Sequence, residues 1–194
     1  QPELIHLNQY CYGAINFRVP KIIVGHSCVF SWYEAVKKEA PGIKWNEYKK
    51  RVQNGLLNAD AVAAPSFFMM NQLNKHYGIF KDQWIIYNGS SYNHNNKKKE
   101  DFVLSAGRLW DEAKNIYALA EASVAINWPV YIAGENYNPI NGNAFNHPYI
   151  KLLGSLSRPK MNEIVSKAAI YCMPAKYEPF GLAILEAAMS GAAL

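Results

Sequence analysis

Two carboxylates, Glu178 and Glu186, stand eight residues apart, with Pro179, Gly181 and an apolar run between them. The preceding stretch Ala169-Ile170-Tyr171-Cys172-Met173-Pro174 predicts a strand, and the residues after Gly181 predict a helix. A strand that feeds a glycine turn and then a helix N-terminus makes an anion site, because unpaired N–H groups and the positive end of the helix dipole meet there. Carboxylates beside such a site do not take phosphate; they suit hydroxyls of a sugar or ribose next to it. Gly181 lets a ligand approach the backbone. Glu186, five residues on, stands roughly 7 Å further along a helix axis at about 1.5 Å per residue, about the span from a phosphate to the far edge of a ribose. Leu182, Leu185 and Met189 recur at helical spacing and predict a stripe facing a core, and Gly191 supplies the stop. The same residues equally describe an ordinary amphipathic helix with two solvated glutamates.

Residues 102–115 carry the complementary charge. An apolar strand ends at Gly107, and Arg108 and Lys114 lie on either side of the turn into the next helix. Two cations at such a turn can neutralise a diphosphate without a metal, and guanidinium matches phosphate oxygens bidentately. Paired surface cations near a turn are also common where nothing binds.

The first segment resembles the E-x7-E motif of retaining glycosyltransferases with the GT-B fold, family 4 (glycosyl transferases group 1); Glu178, Phe180, Gly181, Leu182, Glu186, Ala187 and Gly191 fit its form. The second resembles the family's G-R-L/F-x-x-x-K-N/G signature. The resemblance implies that Glu178 contacts the donor sugar, that Glu186 holds the ribose hydroxyls, and that the backbone around Phe180, Gly181 and Leu182 meets the diphosphate and sugar. It gives Arg108 and Lys114 the diphosphate. His26, after the predicted strand 21–25, resembles a family histidine near the transferred sugar, which implies a catalytic part in polarising the sugar or orienting the donor; a capping or structural histidine fits equally. Gly134 retains the first glycine of the family's G-x-G-P turn. Asn136 replaces the second glycine, which puts close backbone approach at that loop in question. Residues 152–157 are similar to the loop near the nucleobase, with the backbone at Leu156 reading the base. Asn88-Gly89 resembles the family's P-N-G turn, with Tyr87 in the proline's place, and reads as a hinge.

The activity implied is transfer of a hexose from a nucleotide-diphosphate sugar, UDP- or GDP-linked, to a hydroxyl acceptor with retention of configuration. Attack comes from the face that the phosphate leaves, and the departing phosphate takes the acceptor's proton. No cofactor is implied, since the nucleotide sugar is a substrate, and no metal, since no DxD motif is evident. The acceptor is a saccharide, a lipid-linked or a small molecule, as in polysaccharide biosynthesis. Two alternatives keep the fold: a non-catalytic nucleotide-sugar-binding fragment, and an epimerase or phosphorylase, which would need a different acid–base set or a pyridoxal lysine.

The remaining elements must position these groups. Strands are predicted near residues 4–7, 21–26, 61–65, 84–89, 102–106, 130–133, 149–153 and 169–173. Helices are predicted near 47–59, 67–77, 115–125, 160–167 and 181–190, with Ser66 as a cap. Strands alternating with helices imply parallel sheets covered on both faces, with ligands beyond the carboxyl ends of the strands. The expected architecture is therefore α/β, with two Rossmann-like parallel-sheet domains of GT-B type, both incomplete in this chain. Residues 1–92 are expected to be the later part of the acceptor-side domain, 93–99 a linker, and 100–194 the front part of the donor-binding domain.

Bulk composition excludes rather than selects. With 194 residues and 50% hydrophobic content the chain is long and apolar enough to fold around a core. Its net charge of +5 suits a phosphate-bearing donor or peripheral contact with an anionic membrane. The clusters Lys49-Lys50-Arg51 and Lys97-Lys98-Lys99 each read as a solvated face or linker, so no nucleic acid is expected. No run of about eighteen apolar residues spans a membrane, and no leader pattern opens the chain. Cys11, Cys28 and Cys172 lack metal-ligand spacing; Cys28 and Cys172 read as small hydrophobes in or beside strands, in a reducing setting. A cytoplasmic protein, at the inner face of the membrane, is expected.

Overall fold

Parallel strands need long crossovers, which in this chain are helices or long loops. The computed structural model describes residues 2–91 and 97–194. They form two compact units, 1–88 and 89–194, that divide between Asn88 and Gly89. Four residues of the expected linker, 93–96, lie outside the described residues.

In the first unit, β1 (Ile5–Leu7), β2 (Lys21–Val24), β3 (Ala61–Ala64) and β4 (Gln83–Ile85) form a parallel sheet in sequence order. Its core gathers Ile23 and Val62 from the sheet, Val52 and Leu56 from α2 (Asn46–Leu57), and Met69, Leu73 and Tyr77 from α3 (Phe67–Tyr77). Ser66 caps α3, its Oγ accepting the Met69 N–H at 3.1 Å, so a first-turn donor that the helix cannot satisfy is paired. The segment between β2 and α2 holds a short helix, α1 (Val29–Trp32), running into a π-helical turn over Tyr33–Lys37. Cys28 lies beyond the end of β2, buried at the N-cap of α1, and its sulfur accepts the Ser31 N–H at 3.4 Å. The strand expected over 84–89 stops at Ile85, where pairing to β3 runs out.

In the second unit, β5 (Glu100–Ala106), β6 (Val130–Ala133), β7 (Ile150–Gly154) and β8 (Ala168–Tyr171) are parallel in the order β7-β6-β5-β8. The chain steps from β5 outward to β6 and β7, then returns to the other side of β5. The helix after β5, α4 (Ile116–Ser123), packs on one face with Val103, Val130 and Ile132. α5 (Arg158–Lys167) and α6 (Leu182–Met189) pack on the opposite face with Phe102 and Leu104. Loops after β5 and β8 thus diverge to opposite faces and leave a crevice at the carboxyl ends of two adjacent strands, the place where open α/β sheets bind ligands.

Two sequence expectations change here. The residues of α6 that meet the core are Ala183, Ile184 and Ala187, while Leu182 is 39% exposed. Leu182, at the first turn, thus lies off the face that these three residues turn to the sheet. The Lys97-Lys98-Lys99 run is not wholly a solvated face: Lys99 Nζ donates to the carbonyls of Ser166 (3.0 Å) and Ser190 (2.6 Å). These carbonyls lie at the C-terminal ends of α5 and α6, where a cation is favoured. Partial burial lowers the pKa of this ammonium.

Among the described residues no helix is long and apolar enough to cross a membrane. The three thiols differ in access: Cys11 is exposed, Cys28 buried, and Cys172 between them, with burial raising the pKa of the Cys172 thiol. Alkylation of the native protein near neutral pH, followed by mass spectrometry, is expected to label Cys11 first, Cys172 more slowly, and Cys28 only after unfolding.

Candidate functional site

The crevice of the second unit is built on contact between its loops. Gly107 N–H donates to the Ala133 carbonyl at 2.9 Å and Gly134 N–H to the Gly154 carbonyl at 2.8 Å, so the turns after β5, β6 and β7 are laced together. A Cβ on Gly134, whose φ is +136°, would lie 1.8 Å from the Gly107 carbonyl oxygen. Gly134 is thus needed where one backbone crosses another. The next loop closes on itself through a bridge between Tyr137 and Ala144, and Phe145 plugs the core beside Tyr117.

Over Gly107 lies the aliphatic part of Lys114, about where a Cβ on that glycine would meet it at 3.4 Å. Between Gly107 and Lys114 the chain makes a tight turn held by Asp111. Its carboxylate accepts from Arg108 Nη2 at 2.6 Å and from the Ala113 N–H at 3.0 Å, while the Lys114 N–H donates to the Asp111 carbonyl at 2.9 Å. The Arg108 guanidinium also stands over the Trp110 ring at 5.3 Å, a contact that orients it. Asn115 takes the left-handed conformation, φ +53°, which asparagine tolerates better than most residues. Its Nδ2 donates to the Pro174 carbonyl at 3.0 Å, and the Lys176 N–H donates to the Ala113 carbonyl at 2.8 Å. The loop after β5 is therefore tied to the loop after β8.

That tie brings the sequence-predicted charges together. Lys114 Nζ meets Glu178 Oε2 at 2.6 Å, and the Gly181 N–H donates to Glu178 Oε1 at 3.3 Å. Gly181 is buried, with φ +84°, and opens α6; the left-handed turn aims its N–H back at Glu178, a geometry that glycine adopts without a Cβ penalty. The Glu178 carboxylate thus lies between an ammonium and the N-terminal end of a helix, where an external anion would also be favoured.

Glu186, just over one turn along α6, forms a second cluster. Arg158, the first residue of α5, places Nη2 on Glu186 Oε1, and Ser90 Oγ donates to the same oxygen at 3.0 Å. Tyr171 is buried at the end of β8; burial, with lesser contributions from Glu178 and Glu186, pushes its phenol up to about 12. The phenol therefore stays neutral near neutral pH.

Arg108, Lys114, Glu178, Phe180, Gly181, Leu182 and Glu186 all stand on the two loops and the helix that frame this crevice, with Gly134 supporting Gly107 from behind. The side chain of Leu156 goes elsewhere: it lines an open groove under α5 with Phe102, Tyr131 and Ile164. His26 belongs to the first unit, exposed just beyond β2, with Nε2 3.3 Å from Asn8 Oδ1. Asp111, Asn115, Arg158 and Ser90 were not singled out from sequence. Asp111 and Asn115 sit inside the run from Gly107 to Asn115, which has one residue more before its lysine than the G-R-L/F-x-x-x-K-N/G form, and were open to notice. Arg158 and Ser90 lie 28 and 96 residues from Glu186, with no spacing that signals it. Among the described residues no three His, Cys, Asp or Glu side chains gather as a metal site.

The fold and the crevice define a parallel α/β protein with a switch-point site at the ends of β5 and β8. Residues 90–194, more than half of the chain, match the family model described as glycosyl transferases group 1, and the chain belongs to that family. No curated protein matches the sequence. Among solved structures, sucrose-phosphate synthase from Thermosynechococcus elongatus is similar over 98% of this chain and 54% of its own, at 21% identity and a TM-score of 0.77. Anabaena HepE, solved with UDP and glucose, is similar over 98% and 57%, at 18% identity and a TM-score of 0.65. WaaG, a glycosyltransferase of lipopolysaccharide biosynthesis, is similar over 90% and 58%, at 16% identity and a TM-score of 0.65. The shared feature is the GT-B fold of two parallel-sheet α/β units, and this chain spans a little over half the length of these proteins.

Gly134→Ala is expected to destabilise the second unit by about 3 kcal/mol, because neither crossing backbone can yield cheaply to the added methyl. Urea unfolding followed by Trp fluorescence measures it; a change below about 0.5 kcal/mol, within the range of neutral surface substitutions, would show that the two turns can part.

Proposed function

We propose that the second unit binds the donor of a glycosyltransferase, a sugar carried on a nucleoside diphosphate, and that the complete protein transfers the sugar to a hydroxyl acceptor with retention of configuration. The observation that carries this reading is the meeting of Lys114 and the α6 N-terminus around one carboxylate, Glu178. A phosphate oxygen is a chemically reasonable replacement for that carboxylate. Arg108, one turn away and 59% exposed at its side chain, has donors left for a second phosphate oxygen.

Donor binding on this reading is an exchange. The diphosphate takes Lys114 and the helix end, and Glu178, released from both, turns to the sugar hydroxyls. As the bond between the anomeric carbon and the phosphate oxygen breaks, negative charge grows on the phosphate. The two cations and the helix end are already aimed at it, so little reorganisation is required in the transition state. The acceptor oxygen forms its bond to the anomeric carbon from the same face, and its proton passes to the departing phosphate. The charge that a metal would otherwise balance is met by Arg108 and Lys114, so transfer is metal-independent. On the same reading His26, exposed just beyond β2 in the first unit, polarises or orients the sugar in the complete protein. Acceptors are saccharides, lipid-linked or small molecules, and UDP and GDP sugars are the first donors to test, at the cytoplasmic face of the membrane.

Lys114→Ala and Arg108→Ala are each expected to weaken binding of UDP or GDP by about tenfold or more, the loss of a charge-assisted contact. Titration calorimetry checks this; near-wild-type affinity in both variants would remove the diphosphate from this site. Glu178→Gln gives a split result. Without the competing carboxylate the bare nucleoside diphosphate should bind about fivefold more tightly, in line with a partly buried ion pair worth about 1 kcal/mol. Sugar transfer by the full-length enzyme should fall about a hundredfold or more. Weaker binding of the bare nucleotide by Glu178→Gln would contradict the exchange.

A further inference from the structure

The second carboxylate is held in a way that suggests what its free oxygen does. Arg158 and Ser90 both bind Oε1 of Glu186, and among the described residues the structure gives Oε2 no partner. Glu186 is 12% exposed at its side chain, while Arg158 is 59% exposed. The guanidinium therefore reaches in from the surface to a carboxylate that the helix holds in place. Arg158 opens α5, with a proline in its first turn fixing the local backbone. Ser90 comes from the segment that opens the second unit. Two elements distant in sequence thus clamp the same atom.

We propose that Arg158 and Ser90 are positioning residues for Glu186, and that together they make the site selective for a ribonucleotide over a deoxyribonucleotide. This rests on the donor-site reading given above. A carboxylate free to rotate can satisfy either oxygen with water and gains little from a sugar hydroxyl. With Oε1 engaged by a cation and a hydroxyl, the side chain is locked and Oε2 is presented as a fixed acceptor. A ribose 2′-hydroxyl in reach then forms a charge-assisted hydrogen bond at low entropic cost. A 2′-deoxyribose lacks that hydroxyl and leaves Oε2 desolvated and unpaired, which is how a site built for a hydroxyl rejects the analogue lacking it. The ion pair also keeps Glu186 from acting as an uncompensated negative charge near the diphosphate.

The test is titration calorimetry of the protein with UDP and GDP, each against its 2′-deoxy counterpart. The wild type is expected to prefer the ribonucleotide about tenfold or more. In Arg158→Ala this preference should fall to about twofold or less, mainly through lost ribonucleotide affinity. Arg158→Lys, which keeps a cation but not the fork, should recover part of it, and Ser90→Ala should show an intermediate loss. A uniform weakening of both nucleotides, with the ratio intact, would mean that Arg158 only supports the fold and would overturn the proposal. A wild type that binds both forms equally would remove the 2′-hydroxyl from Glu186 and overturn the proposed selectivity. A wild type that binds no nucleoside diphosphate would instead overturn the donor-site reading itself. Circular dichroism of each variant at the titration temperature guards the comparison, and if Arg158→Ala is unfolded the Arg158→Lys and Ser90→Ala ratios decide.

Discussion

The site depends on one arrangement: an ammonium, a carboxylate and a helix N-terminus held in line at the carboxyl ends of β5 and β8. Lys114 comes from the loop after β5, Glu178 from the loop after β8, and the Gly181 N–H from the start of α6. None of these groups would have reason to meet if the strands were not neighbours. Their adjacency follows from the strand order, in which the chain returns past β6 and β5 before laying down β8. The reversal sends α4 and α6 to opposite faces and opens the crevice.

Holding that crevice in shape is the work of backbone, not of long side chains. Gly134 crosses Gly107 with no room for a methyl group, and Gly107 in turn supports the stem of Lys114. Asp111 closes the turn that carries Arg108, and Asn115 ties it to the loop after β8. A diphosphate-sized anion needs donors that are fixed before it arrives, since donors that must reorganise lose most of their electrostatic advantage. Here the donors are fixed around a carboxylate from the same chain. The unliganded site is thereby satisfied instead of holding a buried cation without a partner, which would be costly.

The two acids differ, although the sequence presents them as a pair. Glu178 is engaged through both oxygens, by Lys114 and by Gly181. Glu186 is engaged through one, by Arg158 and Ser90 together. The first can be exchanged for another anion, whereas the second is clamped. On the proposed reading, this difference in side-chain freedom, not the spacing of the motif, separates a group that moves on binding from one that waits in place.

Much of this protein was legible in its residues. The alternation of short apolar strands with helices set the α/β class, because the two periodicities are local properties of the chain. The run from Gly107 through Asn115 and the run from Glu178 through Gly191 each announced a strand, a turn and a helix start, because glycine, proline and charge at those spacings act within a few residues. Sequence alone misjudged the buried face of α6, where Ala183, Ile184 and Ala187 rather than Leu182 meet the sheet, because tertiary packing decides which face of an apolar helix turns inward. It read Cys28 as a small hydrophobe in or beside a strand and Lys99 as part of a solvated face or linker; Cys28 is buried and also caps a helix, and Lys99 joins two helix ends. It was silent on Arg158 and Ser90, whose partner lies across the fold. Local chemistry determined which residues could form an anion site. Only tertiary structure decided that β5 and β8 are neighbours, and hence which charges meet, because strand order is set by long-range packing that no short window of sequence contains.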